Sequence, residues 1–235
     1  MDYLHDFRVD IILKKRDRAR WNNWDKWNIL YKTLAYELSS SHDVESYPYV
    51  RNQVFEFFRD YEKYICGAVT LDIMNGWWFC FKTLFNIDTS RNSIETKEFL
   101  SRLNNQIEKI NEEEKLIDVI CKNYSITEEE IKSLLGFLKV VYTIGNISPA
   151  SRNPKADKFD SWEYKLFESG SINYTDLGYK YFYFEDYSKD RKWWIDLKES
   201  NDKKKVILEY MNSRIYLITE RGKKVVNISS KSSKI

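Results

Sequence analysis

Asp157, Asp160, Glu163 and Lys165 are the residues whose types and spacing come nearest to a reaction centre. Clustered carboxylates hold divalent cations, and a neighbouring ammonium can orient an attacking water. The segment Asp160-Ser-Trp-Glu-Tyr-Lys165 reads as part of a short helix over 160–168. On a helix Asp160 and Glu163 share a face, which suits a bound metal or simply water. Asp160, Glu163 and Lys165 are therefore the catalytic candidates of a hydrolase reading, with a solvated helix face as the alternative.

Other catalytic chemistries find little material. His5 and His42 are the only histidines, and neither has a His or Cys neighbour at metal-ligand spacing. No histidine metal site is expected, and a Ser-His-Asp or Cys-His site would rest on one of these two. The three cysteines, Cys66, Cys80 and Cys121, lie in apolar stretches without ligand spacing and read as buried free thiols in a reducing cytoplasm. There is no Gly-rich phosphate loop, and no cofactor is expected.

Binding chemistry is better supplied. Lys14-Lys-Arg-Asp-Arg-Ala-Arg20 carries five basic residues and one acid, and Trp21, Trp24 and Trp27 follow it. Lysine and arginine neutralise phosphates, and tryptophan stacks on bases or anchors in a protein groove. Lys15, Arg16, Arg18, Arg20 and Trp21 are the binding candidates here. Trp24 and Trp27 also fit an apolar helical stripe, which would take them into the core.

The second binding candidate is the loop after a long helical run, Tyr142-Thr-Ile-Gly-Asn-Ile-Ser-Pro-Ala-Ser-Arg-Asn-Pro154. It contains two of the three prolines and a Gly145-Asn146 pair. As a shaped loop it would aim Asn146, Ser148, Ser151, Arg152 and Asn153 at a ligand. As a plain connection, Gly145 would take a positive φ to close the helix and the prolines would stiffen the exit.

These residues must be positioned by helices. Trp24, Trp27, Tyr31, Leu34 and Leu38 recur at three and four, giving a helix over 20–38. Pro48 opens a helix continuing to about residue 65, and 71–85 reads as a third. Asp88 or Ser90 would cap a fourth, whose stripe runs from Leu100 to Ile120 through a charged stretch at 111–115 that is a bend or a solvated face. Thr127 and Glu130 form a capping box for the next helix, through Ile131, Leu134, Leu135, Leu138 and Val141. Residues 189–198 and 203–221 read as the last helices, with Gly222 as the closing residue. Phe7 to Leu13 is the short strand candidate, and Tyr179 to Phe184 is a strand or a buried turn. The expectation is a mainly α fold: one irregular helical domain over 1–228, a subdivision conceivable only near 148–157, and a flexible tail at 229–235.

Composition agrees with a globular chain of 235 residues, 43% hydrophobic and 31% charged. Aromatics reach 16%, with eight Trp and seventeen Tyr, which suits cores, interfaces and stacking surfaces. A net charge of +2 gives no global pull on nucleic acid, so any electrostatic site must be local. No signal peptide or membrane span is expected. The most apolar window, 68–85, is interrupted by Asp72, Asn75 and Lys82.

Three resemblances accompany this reading. Glu163-Tyr-Lys165 is similar to the Glu-x-Lys element of metal-dependent nucleases, which lies there on a strand following an acidic strand. Tyr142-Thr-Ile-Gly-Asn146 with Pro149, Asn153 and Trp162, and the closing Glu220-Arg-Gly-Lys-Lys224, resemble proteins of Gram-positive bacteria and their mobile elements. Gly145, Asn146, Asn153 and Lys158 are similar to the HNH-type nuclease domain of GmrSD-like type IV restriction enzymes. That family uses an upstream histidine, and none occurs after His42, so the resemblance implies a degenerate, non-cleaving relative. The combined expectation is a cytoplasmic bacterial or phage-associated protein that binds rather than catalyses. It would engage a protein or nucleic acid, with a role in phage defence or counter-defence. The alternatives are the carboxylate hydrolase and a dimeric scaffold joined through exposed tryptophan faces.

Overall fold

A computed structural model describes residues 2–14, 23–39, 48–57, 69–73, 75–151 and 192–232. Within them the fold is mainly α. The helices are α1 (Arg8–Lys14), α2 (Ile29–Ser39), α3 (Pro48–Phe57), α4 (Trp78–Leu84), α5 (Ile94–Ile107), α6 (Glu113–Tyr124) and α7 (Glu128–Val140), then α8 over 192–199 and α9 (Lys203–Ser232). One antiparallel strand pair accompanies them: β1 (Val69–Ile73) lies on β2 (Ile147–Ser151), from Val69 opposite Ser151 to Ile73 opposite Ile147.

Helix α7 is the central element because its apolar positions face more than one neighbour. Ile131, Leu134, Leu135, Phe137 and Leu138 are wholly buried. Around them pack α2, α4, α6 and α9. The Thr127 capping box starts α7 as its sequence requires. Glu130 N donates to Thr127 Oγ1 at 3.2 Å, and Thr127 N donates to Glu130 Oε2 at 2.7 Å. Thr127→Ala is expected to cost about 1 kcal/mol, seen as a lower urea midpoint with an unchanged m-value.

Several boundaries fall elsewhere than the periodicity suggests. The stretch read as a strand, Phe7 to Leu13, is helical as α1. Asp6 Oδ1 accepts from Arg8 N at 3.0 Å, which caps the first turn, and Phe7 and Ile11 then point into the core. The helix expected over 20–38 begins only at Ile29. Asn28 interrupts it: its Oδ1 accepts from Tyr31 N at 2.8 Å, while its Nδ2 donates to the carbonyls of Ile107 and Ile110 at the end of α5. The helix expected over 71–85 is β1 followed, after Asn75 and Gly76, by the short α4. The α5 cap is Ser93, whose Oγ accepts from Thr96 N at 3.1 Å, rather than Asp88 or Ser90. The charged stretch at 111–115 follows the end of α5 at Ile107 and runs into the start of α6 at Glu113.

The last helix does not stop at Gly222. It continues to Ser232, and its 30 residues span about 45 Å. Gly222 is internal, and a Cβ there would meet the Tyr3 carbonyl oxygen at 3.3 Å, so the glycine serves a close approach of the N-terminal segment. Gly145 sits opposite. A Cβ on it would lie 1.9 Å from the Ile218 carbonyl oxygen, and its φ is outside the left-handed region. The turn at Ile144–Asn146 is therefore pressed onto α9, and Arg221, wholly buried, fastens it by donating from Nη1 to the Gly145 carbonyl at 2.6 Å.

Candidate nucleic-acid interface

The basic stretch of residues 14–20 leaves the described chain at the end of α1, and the chain resumes at Asn23. The two flanks meet at one side chain. Trp24, in the 3-10 turn Trp24–Lys26, is 6% exposed. The Arg8 guanidinium of α1 lies 5.7 Å from its ring centroid, and the Lys32 ammonium of α2 lies 5.4 Å from it. Trp27 packs edge-on against Tyr31 at 4.7 Å. Trp24 thus takes the core place that the apolar stripe offered it, while Trp27 is half-buried and packs on the rings of Trp24 and Tyr31.

Arg8 fixes the other flank. Only 1% of it is exposed, and every part of its guanidinium is engaged. Nε donates to Asp6 Oδ1 at 2.9 Å, Nη2 to Asp6 Oδ2 at 2.8 Å, and Nη1 to Thr33 Oγ1 at 2.8 Å. Its plane also lies 4.4 Å from the Tyr142 ring centroid. Burial holds the Tyr142 phenol well above its ordinary range despite the nearby Arg8 charge. Its oxygen accepts from Trp77 Nε1 at 2.9 Å. The start of α1 is thereby bonded to α2 and stacked on the residue that follows α7.

Lys32 differs from Arg8. It is half-buried, and its ammonium makes no hydrogen bond or ion pair among the described residues beyond its approach to Trp24. Burial lowers its pKa, Arg8 lowers it further, and Asp6 and Asp25 offset part of this. The charged form is disfavoured in the fold. Between the lowered folded pKa and the ordinary lysine value, the unfolded chain binds more protons, so this group's contribution to stability rises with pH. Lys32→Met is accordingly expected to leave the thermal midpoint unchanged or raise it by about 1–2 °C, since half exposure screens the effect.

Asn146 is placed inside the molecule. It is wholly buried, and both ends of its amide are fully bonded. Oδ1 accepts from Asn75 N at 3.1 Å and Asn75 Nδ2 at 3.0 Å, while Nδ2 donates to the carbonyls of Asn75 at 3.0 Å and Val141 at 2.8 Å. Tyr210 of α9 completes the hub by donating to Asn75 Oδ1 at 2.9 Å. The Gly-Asn pair is a buried joint between the end of α7, the chain after β1, and α9. Pro149 follows within β2, opposite Leu71.

His5 lies 2.7 Å from Asp10, Nε2 to Oδ2, on the N-terminal segment. Cys80 is buried and Cys121 half-buried, both as free thiols, and burial raises the Cys121 pKa. Lys15, Arg16, Arg18, Arg20, Trp21, His42, Cys66, Arg152, Asn153, Asp157, Lys158, Asp160, Glu163 and Lys165 lie outside the described residues. Among the described residues no group of three or more His, Cys, Asp or Glu is placed to hold a metal ion, and no helix is long and apolar enough to cross a membrane. Sequence reasoning missed Arg8, Lys32, Asn75 and Tyr210: Asn75 and Tyr210 are defined by partners distant in the chain, and Arg8 joins neighbouring Asp6 to the more distant Thr33. No protein-family model, curated protein or solved structure matches the chain.

Proposed function

We propose that the chain is a non-catalytic binding protein whose partner is a nucleic acid, engaged through the basic stretch of residues 14–20. The observation that carries this reading is the convergence on Trp24. The residues before and after the stretch are fixed to one another by Arg8, Asp6, Thr33 and the Trp24 ring. Anchored flanks lower the ordering cost of presenting five basic side chains to a phosphate backbone. The resemblance to a degenerate HNH domain agrees with a protein that holds nucleic acid without cutting it. A role in phage defence or counter-defence belongs to the same proposal.

The test is tryptophan fluorescence during titration with a 20-nucleotide single strand and a 20-base-pair duplex. Saturable quenching is expected at 50 mM salt. Four phosphate contacts would weaken binding about a hundredfold on reaching 200 mM. Lys15→Ala, Arg16→Ala and Arg18→Ala together should flatten the slope of log affinity against log salt by about 2–3. Absent or salt-insensitive binding would reject the reading.

A second reading, a protein partner or a second copy of the chain, is favoured by Trp194 at 42% and Ile195 at 50% exposure on α8. The Trp194 ring lies 5.3 Å from that of Phe79, so the exposed pair stands on a fixed aromatic base. Sedimentation across a concentration series tests the homodimer, and an invariant monomer mass would remove it.

A further inference from the structure

Phe79 of α4 is the meeting point of two tryptophans and a cation. The rings of Trp193 and Trp194 on α8 stand edge-on to it at 5.5 and 5.3 Å, and the Lys82 ammonium lies 5.5 Å from its centroid. Trp193 is buried and rests on Tyr210 of α9 at 4.2 Å, so the cluster is tied to the longest helix. Trp194 and Ile195 are exposed beside it. Single apolar side chains are common on a surface, but an adjacent pair on a rigid aromatic base has the make-up of an interface anchor.

The charges at this surface are one-sided. Lys198 follows Trp194 by four residues and Ile195 by three, so on α8 it neighbours both. Among the described residues neither Lys198 nor Lys82 has a carboxylate within ion-pair distance. Asp196 and Glu199, the acids of α8, lie about 140–160° around the helix from Trp194, with Lys192 between them. Beneath the exposed pair, Trp193 Nε1 is buried with no hydrogen-bond partner among the described residues. Such a donor is rare in a folded core, and an oxygen entering beside Trp194 would supply its acceptor.

We propose that Trp194, Ile195 and Phe79, rimmed by Lys82 and Lys198, form a docking surface for an acidic peptide segment of another protein that carries a large apolar anchor residue. This inference rests on the protein-partner reading above and names that partner's chemistry. Trp194 and Ile195 receive the anchor, and the two ammonium groups, left without acids, receive carboxylates. A nucleic acid suits the surface less well: a strand stacks its successive bases on several aromatic faces, and here one exposed indole is followed by an aliphatic side chain. A second copy of the chain also suits it less well. In a two-fold contact the same patch meets itself, which would bring the lysines of both copies together.

The experiment selects binders to the full chain from a library of random 12-residue peptides, with Trp194→Ala as the counter-selection. Peptides retained by the wild-type chain alone are expected to pair Phe, Trp or Leu with an excess of Asp and Glu over Lys and Arg. The tightest of them should bind about tenfold more weakly to Trp194→Ala. The double variant Lys82→Gln with Lys198→Gln should bind it about fivefold more weakly, and salt raised from about 50 to 200 mM should weaken it further. Because the double variant leaves the indole cluster in place, its loss of affinity reads charge rather than folding. Trp194-dependent peptides without an excess of acids would overturn the acidic chemistry and leave the protein-partner reading standing. No Trp194-dependent peptide, together with an invariant monomer mass, would remove that reading and this inference with it. A mass that rises with concentration and falls back in Trp194→Ala would give the surface to a second copy, and Trp194-dependent binding of the 20-nucleotide strand would give it to a nucleic acid; either result overturns the proposal.

Discussion

Gly145→Ala is expected to destabilise the protein by about 3–5 kcal/mol, lowering the thermal midpoint by about 10 °C. The added carbon would lie 1.9 Å from the Ile218 carbonyl oxygen and 2.9 Å from Gly222 N, both backbone atoms of α9. Backbone of a long helix cannot rotate aside as a side chain can, so the turn must lift off. Lifting it breaks the 2.6 Å hydrogen bond from Arg221 to the Gly145 carbonyl, and a bond from a charged donor contributes about 1.5–3 kcal/mol. The turn also carries Asn146, so displacement strains the amide hub that joins Asn75 and Tyr210. Gly222→Ala is the matched control. Its Cβ would meet Tyr3 at 3.3 Å, a gap the N-terminal segment can open by a few tenths of an ångström. Helix propensity favours that substitution by about 0.8–1 kcal/mol, so it should lie near neutral. Equal losses for the two variants in thermal and urea unfolding would contradict this account of the contact.

Arg8→Ala is expected to cost about 3–5 kcal/mol, the range for removing one partner of a buried, hydrogen-bonded ion pair. Asp6 would lose all three of its guanidinium bonds, and Thr33 Oγ1 would lose its donor. Tyr142 would lose the cation stacked on its ring. Arg8→Lys should recover little of this, because a single ammonium cannot reproduce the fork that serves Asp6 and Thr33 together. The variant also tests the proposed nucleic-acid reading. With α1 no longer fastened to Trp24, oligonucleotide affinity should fall even at temperatures where the core stays folded. Stability restored by Arg8→Met with binding still impaired would separate anchoring from folding. Unimpaired binding in a folded Arg8 variant would show that the flanks need no fixing.

The parts legible from sequence are those decided by near neighbours. The stripe Ile131, Leu134, Leu135 and Leu138 and the Thr127–Glu130 box define α7 because helix periodicity and capping act within a few residues. The adjacent tryptophan pairs also divide as helical geometry requires. Trp77 is buried beside a half-buried Trp78, and Trp193 is buried beside an exposed Trp194. The illegible parts were settled at long range. Val9, Ile11 and Ile12 favour a strand by their branching, and only packing of Phe7 and Ile11 on the core makes α1 a helix. Residues 69–73 pair with 147–151, a partner about eighty positions away that no local pattern announces. Gly222 has the sequence context of a helix end, yet the requirement it meets is the approach of Tyr3. Asn146 has the composition of a ligand-facing loop, but Asn75, 71 residues earlier, takes its amide. The basic stretch 14–20 is visible as charge alone.

The contact of Tyr3 with Gly222 has a consequence for how the protein is made. Tyr3 is synthesised more than two hundred residues before the glycine it packs against. At about 5–20 residues per second, the segment ahead of α1 waits ten seconds or more on the ribosome without its resting place. During that interval Phe7 and Ile11 lack the finished core, and the basic stretch behind them lacks its anchored flanks. Chains stalled short of α9 should therefore be open to proteolysis near the N-terminus, and should become resistant there only once residue 222 has cleared the exit tunnel.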